Sequence, residues 1–142
     1  MTYEEKGTWV FLVVSVAAFV GYLAWLVGQL LSTPPAEIAY ARPMLWAIGG
    51  AAVASILGRL LIVVAAPREA GRSDQRDREI QRFGDHSSRF FVDVAGIAAL
   101  VMALLELDHF WIANALYFGF VGAALVASVV MIVSYRRGFY PW

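Results

Sequence analysis

Two ionisable residues sit where they are expensive. Arg59 lies about eight residues, or roughly 12 Å, inside an apolar run, and Asp93 lies about four residues, or roughly 6 Å, beyond Arg89 in the next one. A central arginine in a membrane helix costs roughly 2.5 to 3.5 kcal/mol on insertion scales, so Arg59 must snorkel or find a partner. Three outcomes are open. Arg59 and Asp93 pair and lock two helices together, they form a proton or ion site, or they never meet.

A second group falls in "LLELDHFWIANALY", where Glu106, Asp108 and His109 crowd a short turn. Glu106 and His109 stand three apart, a helical spacing that can aim a carboxylate and an imidazole at one metal ion. Such a site needs further ligands. The other carboxylate expected at that end is Glu37, and no second histidine accompanies it. The alternative is that Asp108 caps a helix while Glu106 and His109 sit in water at the headgroups. Asn114, one turn further on, suits a hydrogen bond between helices.

The chain that must position these groups is unusually apolar. Of its 142 residues 61% are hydrophobic and 15% charged, against roughly 25% charged in a soluble domain. Four runs, 8–31, 44–66, 90–107 and 110–135, are each long enough to cross a hydrocarbon core of roughly 30 Å. Helix is the expected form, because an open strand in lipid leaves backbone groups unpaired. A soluble bundle would show polar faces at a 3.6 period, and these runs show almost none. The fold class expected is therefore all-α: one transmembrane domain over 1–142, a bundle of four membrane helices. The first run follows Glu4, Glu5 and Lys6 and is too long for a signal peptide, so it is expected to remain as a span.

Charge orients the bundle. The loop at 67–89 holds Arg68, Arg72, Arg76, Arg78, Arg82 and Arg89, and Arg136 and Arg137 follow the fourth run. The 1–2 connection has only Arg42, and the 3–4 turn has no Lys or Arg. The positive-inside rule then puts both termini and the long loop in the cytoplasm. Interface aromatics agree, with Trp46, Phe110 and Trp111 at the outer ends and Trp9, Tyr135, Phe139, Tyr140 and Trp142 at the inner ends.

Helices in lipid associate where small residues let backbones approach. Span 2 offers Gly50, Ala54 and Gly58 at every fourth position, and span 4 offers Ala115, Gly119 and Ala123. These faces serve contacts within one bundle or the seam of a homodimer.

The polar stretch "SDQRDREIQRFGDHSSRF" carries both signs of charge, and half of the chain's charged residues lie between Arg68 and Arg89. Ser73 is expected to cap a short helix that Gly84 ends, with Asp74–Arg78 and Glu79–Arg82 pairs on its surface and a narrow apolar edge of Ile80 and Phe83. The pattern "SDQRDREIQRFG" before the third span, with "YRRGFYPW" closing the fourth, resembles a family of small four-span prokaryotic membrane proteins of unknown function. The resemblance covers nearly the whole length. It implies an inner-membrane protein encoded near small helix-turn-helix regulators, and it implies no reaction, cofactor or catalytic residue. Where the family pattern reads "DERD", this chain has Gln75, which argues against that second acid being essential.

Composition excludes several functions. With no cysteine there is no disulfide, thiolate metal site or cysteine nucleophile. Zero net charge gives nucleic-acid binding no support. No phosphate loop, serine elbow or intramembrane histidine pair is present. The function expected is a non-enzymatic inner-membrane protein without cofactor. It would work through the bilayer and a second copy, a dimer being favoured, or through another membrane protein docked on Asp74, Arg76, Asp77, Arg78, Glu79 and Arg82. The competing class is a small oligomeric transporter or channel using Arg59 and Asp93. A membrane enzyme or metal-binding protein at Glu106 and His109 is the third.

Overall fold

The computed structural model describes residues 2–65, 67 and 74–137. They form four long helices, α1 (Tyr3–Leu30), α2 (Ala41–Ala65), α3 (Gln75–Leu104) and α4 (His109–Arg137), with one short 3-10 turn at Pro35–Glu37 and no strand among the described residues. Each helix is long and apolar enough to cross a membrane. The exterior is that of a protein solvated by hydrocarbon: Trp46 is 80% exposed and Leu104 75%, a surface that water would not tolerate. This is an all-α, multi-pass membrane protein.

Alternating helix direction brings the start of α1, the end of α2, the start of α3 and the end of α4 to one end, here the terminal end. Gln81 Nε2 donates to Glu4 Oε2 at 3.1 Å and Arg136 Nε stands 3.6 Å from Glu5 Oε1, which ties α1 to both α3 and α4 there. At the opposite, turn end, an aromatic core gathers Tyr22 and Leu26 of α1, Ile38 of the connection, Met44 of α2, and Phe110 and Tyr117 of α4. Tyr22 and Tyr117 meet edge to face at 4.8 Å between ring centroids, and Tyr40 meets Phe110 at 5.5 Å. Tyr22 donates its hydroxyl to Asn114 Oδ1 at 2.7 Å, and Asn114 Nδ2 donates to the Phe110 carbonyl at 2.8 Å. A buried amide in lipid needs such partners.

The packing order is α2, α1, α4, α3. Helix α1 packs against α2 and α4, α3 packs against α4, and α2 and α3 make no extended contact. They stand instead on either side of an open groove floored by α1 and α4.

Close approach explains which small residues matter. On α4, a Cβ at Gly119 would overlap the Cβ of Ala95 on α3, and Ala123 is buried. On α3, a Cβ at Gly84 would stand 2.7 Å from Met131 side-chain atoms and 3.1 Å from the Ala127 carbonyl. On α2, a Cβ at Gly58 would overlap Val10 of α1. The Gly119–Ala123 face and Gly58 thus serve contacts inside one bundle, while Gly50 has open space and Ala54 is exposed.

The polar stretch takes a different form from the short capped helix expected. Ser73 is outside the described residues, as are Arg68, Arg72 and the end motif from position 138 onward. Asp74 is the cap: its Oδ1 accepts from the Asp77 N–H at 2.9 Å, and Asp77 Oδ2 accepts from the Asp74 N–H at 3.2 Å. These reciprocal bonds form a capping box. Gly84 ends nothing, because α3 runs unbroken from Gln75 to Leu104. A glycine inside a helix costs roughly 0.5 to 1 kcal/mol against alanine, and here it lets α3 lie against α4 at Ala127.

Candidate functional site

The extension of α3 at the terminal end has a packed face and a free one. Asp77, Ile80, Gly84 and Ser88 recur at three or four residues and are buried, Ile80 completely. The opposite face presents Arg78, Arg82, His86 and Arg89, while Arg76, two positions before Arg78, is exposed on the other flank of the helix and leaves the expected docking surface. Asp77 therefore leaves the expected docking surface, because it is buried and bonded into the capping box. Asp74 shares that box, and Glu79 is half-buried and accepts from Gln75 Nε2 at 3.1 Å. Asp74, Asp77 and Glu79 are engaged within the helix while Arg78 and Arg82 face out, so the surface presented around them is more basic than the linear sequence suggests.

Arg59 and Asp93 do not meet. Helical geometry puts Asp93 on the same outward face as Arg82, His86 and Arg89, exposed and turned from the bundle. The Arg59 guanidinium lies across α1 at Gly7, where a Cβ would stand 3.6 Å from its Nε. It lines a crevice of about 300 Å³ together with Thr8, Asp85, Ser88 and Ser128. Asp85, one helical turn after the Gln81–Glu4 contact, is the carboxylate that shares a space with Arg59. Asp85 also lies in a run of alternating charge, so its type alone did not distinguish it from its neighbours.

At the turn end, Asp108 caps α4: its Oδ1 accepts from the Phe110 N–H at 2.8 Å. Glu106 has a positive φ of 53°. The Leu107 N–H bonds the Met102 carbonyl at 3.0 Å and the Glu106 N–H bonds Ala103 at 3.1 Å, a Schellman close to α3. Because the helix breaks between them, Glu106 and His109 do not share the helical face their spacing suggested, and both are exposed. Among the described residues no group of three or more His, Asp or Glu side chains is placed to hold a metal ion.

Beside the crevice, a larger and almost wholly apolar groove of about 430 Å³ runs between α1, α2 and α4, lined by Phe11, Ala18, Met44, Ala51, Tyr117 and Phe120 among others. Both spaces are bounded by Phe11 and Ala124, so they lie side by side. The fold and its surfaces define a four-helix, multi-pass membrane protein with an open lateral groove and a charged helical extension at one end. No family model, no curated protein and no solved structure matches the chain.

Proposed function

We propose that this is a non-enzymatic accessory protein of a prokaryotic inner membrane, with both termini cytoplasmic, which docks an acidic segment of a protein partner on the free face of the α3 extension. The observation that carries this reading is the rigid presentation of Arg78 and Arg82, one turn apart on a helix anchored by Ile80 and by the Asp74–Asp77 capping box. Orientation by positive charge needs no such anchoring; a binding surface benefits from it, because less ordering entropy is lost on association.

Self-association is the second part of the proposal. The Gly50–Ala54 face of α2 is open, beside the exposed Trp46, and it suits close approach of a second copy, a dimer being favoured.

A photo-crosslinking residue placed at 78 or 82 tests the docking. A discrete protein adduct in cells that disappears when whichever of Arg78 and Arg82 is not carrying the crosslinker is changed to Glu supports it. No adduct, or one indifferent to charge reversal, contradicts it.

A further inference from the structure

The lateral groove has the chemistry of a phospholipid site. Its apolar part follows α4 from Ala124 to Ala113, about eleven residues or roughly 16 Å. That is about half the hydrocarbon thickness, the depth of one leaflet. Its polar end lies about one turn inside the layer where Glu4 meets Gln81 and Glu5 meets Arg136, the level at which headgroups sit in a membrane crossed by these helices.

The polar end is unlike an ordinary gap between helices. Arg59 supplies a fork of donors, and it makes no hydrogen bond or ion pair among the described residues. Thr8, Ser88 and Ser128 donate their hydroxyls to carbonyls of their own helices, Glu4 at 3.0 Å, Asp85 at 2.9 Å and Ala124 at 2.8 Å. Their oxygens are left as acceptors along the crevice, beside the Asp85 carboxylate. One strong anion-binding group and several acceptors thus share a space that adjoins an acyl-chain groove at Phe11 and Ala124.

We infer that this groove binds one phospholipid with an ethanolamine headgroup, its phosphate on Arg59, its ammonium on Asp85 and the serine and threonine oxygens, and an acyl chain between α1, α2 and α4. The ammonium decides the class. A glycerol headgroup brings no cation to Asp85, and a choline headgroup brings a cation with no N–H to donate.

Native mass spectrometry of the delipidated full chain, offered equal amounts of ethanolamine, glycerol and choline phospholipids with matched acyl chains, tests the inference. The ethanolamine lipid should be retained about ten-fold over the other two, the value of one charge-assisted hydrogen bond. Arg59→Gln and Asp85→Asn should each remove that preference, and Asp93→Asn should leave it intact. Ala51→Phe, which fills the apolar groove and leaves every charge in place, should lower retention of all three lipids. Equal retention of the three by the parent protein overturns the inference, without reliance on any variant. So does a preference unchanged in Arg59→Gln and Asp85→Asn.

Discussion

Tyr22 and Asn114 show what a single buried polar contact does in this bundle. Their 2.7 Å hydrogen bond joins α1 to α4 inside the aromatic core. Interhelical bonds of this kind contribute about 0.6 to 1.7 kcal/mol in membrane proteins. Tyr22→Phe and Asn114→Leu should each lower stability by about 1 kcal/mol, and the double variant should lose less than the sum, because either change removes the same bond. Equilibrium unfolding in mixed micelles measures this; strictly additive losses would contradict the pairing. Glu106 makes the opposite case. A side chain at φ 53° occupies a position that glycine fills without steric penalty, and the left-handed region costs other residues roughly 1 to 2 kcal/mol. Glu106→Gly should therefore stabilise the α3–α4 turn by about 1 kcal/mol in the same assay, and a loss would mean that the carboxylate makes a contribution its exposed position does not reveal.

At the scale of helices, glycines divide by what surrounds them. Gly119→Ala forces a methyl into Ala95 and should separate α3 from α4 at a cost of about 1 to 3 kcal/mol. Gly50→Ala enters open space and should leave the folded protomer unharmed while weakening self-association through α2; the first is read by unfolding, the second by crosslinking in the membrane. The α3 extension depends on Ile80, whose burial is complete. Ile80→Ala should cost about 2 to 5 kcal/mol and raise amide exchange over Gln75–Gly84; unchanged protection would mean that the capping box alone holds the extension. These contrasts also mark where sequence reasoning reaches its limit. The four spans and their near limits follow from length and hydropathy, and Asp108 and Asn114 were assigned their capping and cross-helix roles from residue type and place. The packing order was not legible, because helices apolar on every face carry no polar stripe to say which side meets a neighbour. For that reason Arg59 and Asp93 suggested a pair although α2 and α3 stand apart. Gly84 signalled a helix end because glycine commonly marks one, yet the spacing Ile80, Gly84, Ser88, Ala95, Ala99 already held the buried seam that crosses from the polar stretch into the span.

As a whole molecule, the protein combines an apolar exterior, a groove open to the bilayer, and a basic helical face fixed at the terminal end. Everything proposed for that face depends on which side of the membrane it occupies. The uneven distribution of arginine, with Arg76, Arg78, Arg82, Arg136 and Arg137 at one end and Arg42 at the other, predicts the cytoplasmic side. Because the natural chain has no cysteine, single cysteines report position without background. The decisive measurement is labelling of Glu37→Cys, His109→Cys, Arg78→Cys and Arg82→Cys with a membrane-impermeant maleimide. Positions 37 and 109 should react in intact cells, and 78 and 82 only after permeabilisation. Labelling of 78 and 82 in intact cells, with 37 and 109 protected, would invert the molecule and remove the cytoplasmic docking face.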